Sequence, residues 1–155
     1  MMKPRSILLA VLLSSVALAE TVIERHRRRL KRKAKRITID LDPTDDPTHG
    51  AQQLTFFNGH YDSWCYLPVA GFLTFNDEAD QYLFAYVLRP GNAGAGVGAI
   101  GILSRLLPRL RAAFPRARLR VRLDGGFATP EIFDLKNWKA PRNDFAEYME
   151  KRKPG

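Results

Sequence analysis

Four aspartates fall within seven residues of the stretch RITIDLDPTDD, which runs from Arg36 to Asp46. Carboxylates this close repel one another, and the cost has to be offset by solvation or by a cation. A further aspartate, Asp124, closes a second apolar stretch, RLRVRLDGG. Hard divalent cations take oxygen ligands, and magnesium or manganese needs only a few carboxylates beside water and substrate phosphate. Directly ahead of the first acids lies RHRRRLKRKAKR, Arg25 to Arg36, with nine Lys/Arg in twelve residues. That density attracts polyanions through release of their counterions. Acids that hold a metal and bases that hold phosphates together suggest phosphodiester chemistry.

Other side chains carry less. His49 and His60 flank a polar loop with Asp45 and Asp46, but zinc sites show tighter, helix-borne or Cys-paired spacings. Ordinary loop hydrogen bonds are the simpler reading of both. Ser63 and Cys65 have neither an adjacent base nor a nucleophile elbow, so hydrolase chemistry has no support. GVGAIG, Gly96 to Gly101, has dinucleotide-loop spacing and opens a helix. The context fails it, because no strand leads straight into it and the region twenty residues on is basic. Asp45, Asp46 and Asp62 read as turn or capping residues.

The acids that remain need elements to place them. Ile37, Ile39 and Leu41 alternate with Thr38, Asp40 and Asp42, so a strand carries both aspartates on one face. Pro43 and Pro47 stop it. HGAQQLTFFNGHYDSW reads as a loop with aromatic ballast. Residues 66–76 and 81–91 read as two strands of an antiparallel hairpin around NDEAD. Val97, Ile100, Leu103, Leu107, Leu110 and Phe114 mark one face of a helix, with Arg105, Arg109 and Arg111 outside it. Pro108 is expected to kink or split that helix. Leu119, Val121 and Leu123 alternate with Arg118, Arg120 and Arg122 in a last strand that ends at Asp124. Thr129 and Pro130 then cap and open a further helix. A helical crossover favours a parallel pairing of the last strand with an earlier one. If that partner is the first strand, Asp40, Asp42 and Asp124 share one edge of a mixed α/β sheet.

At 155 residues the chain has room for one domain with a real core, and its 45% hydrophobic content is that of a globular protein. Cys65 is the only cysteine, which excludes an intramolecular disulfide and a cysteine-rich zinc site. Residues 1–36 hold eleven Lys/Arg against two Glu, so they carry the whole net charge of +9. The bland reading of the basic run, a solvated or membrane-surface arm, specifies no partner. MMKPRSILLAVLLSSVALAE has the basic start, short apolar run and small residues of a secretory signal. The basic run directly behind it opposes translocation, so a cytoplasmic, nucleoid-associated protein is expected and export is held open. A buried amphipathic helix fits the same residues less well.

ITIDLDPTDDPTHGAQQLTFFNGHYDSWCYLPV, the aromatic hairpin and RLRVRLDGGFATPEIFDL resemble the core of DDE transposases of bacterial insertion sequences, in particular the insertion sequence 1380 group. The resemblance spans roughly Glu20 to Leu135. It implies a ribonuclease H-like mixed sheet, with element order β-β-β-α-β-α. It also implies Asp42 or Asp40 as the first catalytic acid and Asp124 as the second. Asp42 is favoured because Asp42-Pro43-Thr44 has the family-like form, but Asp40 shares its face. The implied cofactor is Mg2+ or Mn2+, as two ions about 4 Å apart. The implied partner is DNA, both transposon ends and target, with no small-molecule substrate.

The expected organisation is a signal-like segment over 1–19, a basic arm over 20–36, a partial catalytic core over 37–135 and a divergent helical tail over 136–155. Arg25, Arg27, Arg28, Arg29, Lys31, Arg32 and Lys33 are the expected DNA contacts. The family's third acid is a glutamate on a helix beyond a further strand, and KNWKAPRNDFAEYMEKRKPG does not resemble that region. Glu147 and Glu150 come too soon after Asp124 to take the role. The expectation is a truncated, inactive transposase copy that self-associates through an exposed edge. A non-catalytic nucleic-acid-binding remnant and a small exported protein are the alternatives.

Overall fold

The computed structural model describes residues 4–50, 52–94 and 96–123 with Phe127 and Ile132, and side chains from residue 16 onward. The chain opens with helix α1, Pro4–Leu30. It continues through a 3-10 turn, Lys31–Lys33, into the first strand β1, Arg36–Pro43. Short strands β2 (Asp46–Pro47), β3 (Phe56–Asn58) and β4 (Ser63–Tyr66) follow. Then come β5 (Val69–Phe75), β6 (Tyr82–Val87), helix α2 (Ala99–Ala113) and β7 (Arg118–Leu123).

The larger sheet has the order β6-β5-β1-β7. β1 is antiparallel to β5 and parallel to β7, so the sheet is mixed and the fold is α/β. Ile39 faces Leu73 on one side and Val121 on the other. The alternation seen in the sequence settles the faces. Ile37, Ile39 and Leu41 are buried in one core with Leu73, Phe75 and Phe84 and with Leu103, Leu107 and Leu110 of α2. Thr38, Asp40 and Asp42 point the other way.

The N-terminal segment and the basic run form one helix, with no break between residues 19 and 20. Ala19, Ile23, His26 and Leu30 recur at spacings of four, three and four and are all buried, which lays α1 against the sheet and α2. Burial of that face, more than intrinsic propensity, holds such a helix in place. Its cationic residues stand on the opposite, solvent-facing side. Lys31, at φ +50°, turns the chain out of the helix. Asn76, also left-handed at φ +56°, begins the hairpin turn after β5 and clamps the segment that leads into β1. Its Oδ1 accepts from the amides of Lys35 (2.8 Å) and Arg36 (3.3 Å), while its Nδ2 donates to the carbonyl of Lys33.

Three local expectations need correction. The segment 49–64 is not all loop, because β2, β4 and β3 build a second, three-stranded sheet. Its short strands offer too few alternating positions to stand out from the turns around them. The expected strand over 66–76 is two strands, separated at Leu67-Pro68, where proline removes a ladder donor. Pro108 neither ends nor splits α2, which runs on to Ala113. Pro108 and Ser104 both lie on the exposed side, so the carbonyl that loses its helical partner can be hydrated. The helix expected after Thr129 lies outside the described residues.

Arg89 joins the two sheets. Its buried guanidinium donates from Nε to the Leu67 carbonyl (2.7 Å) and from Nη1 to the carbonyls of Gly94 and Val97 (both 2.9 Å). This ties the glycine-rich segment ahead of α2 to the start of β5. Gly98 then enters the helix at φ +84°, a conformation glycine adopts without strain.

Candidate active site and nucleic-acid interface

β1 lies in the middle of the sheet, so its C-terminal end is held by neighbours on both sides. Asp40 faces Arg122 across the parallel ladder. The guanidinium forks onto the carboxylate, with Nε against Oδ1 and Nη2 at 2.7 Å from Oδ2. The Asp40 side chain is only 18% exposed, and both of its oxygens are engaged. A paired, half-sheltered carboxylate of this kind is a structural ion pair, and removing one partner strands the other.

Asp42, two residues further along the same face, is exposed and makes no hydrogen bond or ion pair among the described residues. The two aspartates that the sequence leaves equivalent are therefore different chemically. Asp40 is neutralised by an arginine; Asp42 is an open carboxylate at a strand end. Asp124 follows Leu123 in the chain and lies outside the described residues, as do Glu147 and Glu150. Leu123 is the ladder partner of Leu41. No group of three or more His, Cys, Asp or Glu side chains able to hold a metal occurs among the described residues. His49 and His60 belong to no such group.

The expected DNA contacts are all exposed, but they divide in two. Arg27 and Arg28 both reach Glu24, each at 2.7 Å. The two guanidiniums hold the Glu24 carboxyl at about 2, well below its ordinary value. Arg29 pairs with Glu78 at 2.6 Å. Arg25, Lys31, Arg32 and Lys33 have no acidic partner among the described residues, and with Lys35 they carry most of the uncompensated charge of the run.

Two residues inside or near that run escape a reading by residue type. His26 looks like part of the basic stretch, yet it is buried, stacked on Phe75 with ring centroids 4.1 Å apart. Its spacing from Ala19, Ile23 and Leu30 is the signal that places it on the inner face. Arg116, in the turn between α2 and β7, comes close in space to Arg27, Lys31 and Arg32. Nothing in the sequence brings a residue more than eighty positions away to the same cleft.

No helix among the described residues is long and apolar enough to cross a membrane. Comparison with curated proteins and with solved structures finds no match. The family model described as "Transposase DDE domain group 1" matches residues 8–146, which takes in most of α1, both sheets and α2. With nine-tenths of the chain matched, the protein belongs to the transposase DDE domain family, group 1.

Proposed function

We propose that this chain is a transposase catalytic domain acting on DNA by metal-dependent phosphoryl transfer, with Asp42 as the first acid and Asp124 as the second. The observation that carries the reading is the open carboxylate of Asp42 at the end of the central strand, beside an Asp40 already committed to Arg122. The register adds support. Leu41 pairs with Leu123, and Asp42 and Asp124 are the next residues in the two chain segments. A central β1 with antiparallel β5 on one side, β6 beyond it antiparallel to β5, and parallel β7 on the other favours a ribonuclease H-like sheet. The residues quoted above favour the insertion sequence 1380 group.

The donor set is hard oxygen, which suits Mg2+ or Mn2+. Such an ion, when bound, activates a water or a 3′-hydroxyl and stabilises charge on the leaving oxygen. The protein's part is to hold the ligands still. β1 and β7 fix the strand ends, and the Arg122 fork keeps Asp40 from competing for the cation. The exposed cations that follow α1 supply attraction for DNA phosphates. A cytoplasmic location, with access to DNA, goes with this reading.

The test is Mn2+ binding to the full chain, read by paramagnetic broadening of the Asp42 region and by metal titration. Asp42→Asn should abolish the effect, and Asp124→Asn should weaken it. Asp40→Asn should leave it in place while lowering stability. Binding that survives Asp42→Asn and disappears in Asp40→Asn would reverse the assignment. DNA binding with no Mn2+ effect at all would leave a nucleic-acid-binding protein without this chemistry.

A further inference from the structure

Three cations without acidic partners converge at the far end of the sheet from Asp42. The C-terminus of α1, its 3-10 extension and the turn between α2 and β7 enclose a surface cleft of about 360 Å3. Arg27, Lys31, Arg32 and Arg116 line it together with the apolar Ala34 and Phe114. We propose that this cleft grips the phosphodiester backbone of DNA, with Arg116 as a contact alongside Lys31 and Arg32. The inference rests on DNA being the partner and places the grip away from the chemistry. The cleft opens just before β1 and β7 begin, and Arg36 to Asp42 spans about 20 Å at the rise of an extended strand.

The charge balance favours an anion. Arg27 shares the single carboxylate of Glu24 with Arg28 and is only partly compensated. Lys31, Arg32 and Arg116 make no hydrogen bond or ion pair among the described residues and contribute three positive charges. Two helix C-termini meet here, each equivalent to about half a negative charge. The cleft therefore keeps roughly two positive charges, enough to draw one or two phosphates. The apolar residues of the lining, Ala34 and Phe114 among them, suit a deoxyribose between phosphates better than a free inorganic ion. The backbone supplies an independent indication. Lys31 holds a left-handed conformation that costs a non-glycine residue about 1 kcal/mol, where glycine or asparagine would be easier. Backbone strain of this kind is often found at functional positions.

The experiment is a salt titration of duplex DNA binding to the full chain, followed by fluorescence anisotropy. Lys31→Asn, Arg32→Gln and Arg116→Gln are combined, asparagine being chosen because it tolerates the left-handed backbone. Losing two phosphate contacts should reduce the magnitude of the log–log slope by about 1.8, and Arg116→Gln alone should reduce it by about 0.9. A control with equal loss of charge off the cleft and outside the basic run, Arg105→Gln with Arg109→Gln and Arg120→Gln, should change it much less. The same drop in the control, or none in the cleft variant, would overturn the proposal. Inorganic phosphate that displaces DNA from wild type as effectively as competing duplex would also overturn it, leaving a simple anion site. Mn2+ binding at Asp42 should be unchanged in the cleft variant, so failure of the metal reading and failure of the DNA grip are separately visible.

Discussion

Replacing His26 with phenylalanine should stabilise the protein and remove a loss of stability that wild type shows on mild acidification. The ring is 1% exposed. Its Nδ1 donates to the Val22 carbonyl at 2.8 Å, and its Nε2 is buried with no hydrogen-bond partner. Phe75 stacks on it at 4.1 Å with planes 4° apart, and Tyr82 meets it edge-on at 4.2 Å. Burial lowers the His26 pKa below the ordinary value of 6.5; the Val22 carbonyl opposes the shift, Arg29 and Arg25 add to it, and Glu78 opposes it. The unfolded chain therefore takes up a proton that the folded chain refuses. His26 contributes stability that is fully present above pH 6.5 and is lost as pH falls toward the depressed folded value, with a slope of at most about 1.4 kcal/mol per pH unit for one proton. Phenylalanine keeps the stack and removes the orphaned nitrogen, a gain of about 1–3 kcal/mol, against the loss of one hydrogen bond of about 1 kcal/mol. The net gain of about 1 kcal/mol corresponds to roughly 2–4 °C in Tm for a chain of this size. Thermal melts by circular dichroism between about pH 7.5 and 5 test this. Glu24, held at about 2, loses its contribution only as pH falls below its usual 4.5 and does not enter that window. A His26→Phe variant that melts lower than wild type and keeps the same acid slope would refute the reasoning.

Two further substitutions probe the scaffold. Pro108→Ala should raise stability by about 1–3 kcal/mol, since it restores a helix donor on the exposed side of α2, and chemical denaturation at constant m-value would show it. Gly91→Ala should open the smaller sheet, because a Cβ there would sit 2.6 Å from the Phe56 carbonyl oxygen and against that of Cys65. Backbone on both sides cannot give way cheaply, so increased proteolysis between β3 and β4 is expected while the larger sheet persists.

Much of the larger sheet is legible in the sequence, because period-two alternation in β1 and β7 and period 3.6 in α2 report burial directly. Ile37, Ile39 and Leu41 against Thr38, Asp40 and Asp42 assign both faces of β1 before any partner is known. The short strands β2, β3 and β4 are not legible, since two to four residues give no period. Helix α1 hides for another reason. Its apolar first half and cationic second half read as two segments by composition, while the buried stripe Ala19, Ile23, His26 and Leu30 crosses the boundary between them. The distinction between Asp40 and Asp42 depends on Arg122, which only the parallel register brings opposite. Arg116 at the cleft is hidden by the same long-range logic.

The position of β1 has a consequence for synthesis of the chain. It is the central strand of the finished sheet, yet it leaves the ribosome before any of its neighbours. Asp40 and its partner Arg122 are 82 residues apart. At about 5–20 residues per second the parallel edge of β1 waits roughly 4–16 s for β7. During that interval Ile37, Ile39 and Leu41 sit in a strand with an unpaired edge, the arrangement most prone to pairing with another nascent chain. Asp40 and Asp42 alternate with them. Before either carboxylate has met an arginine or a cation, their charge makes the strand a poor template for its own copies.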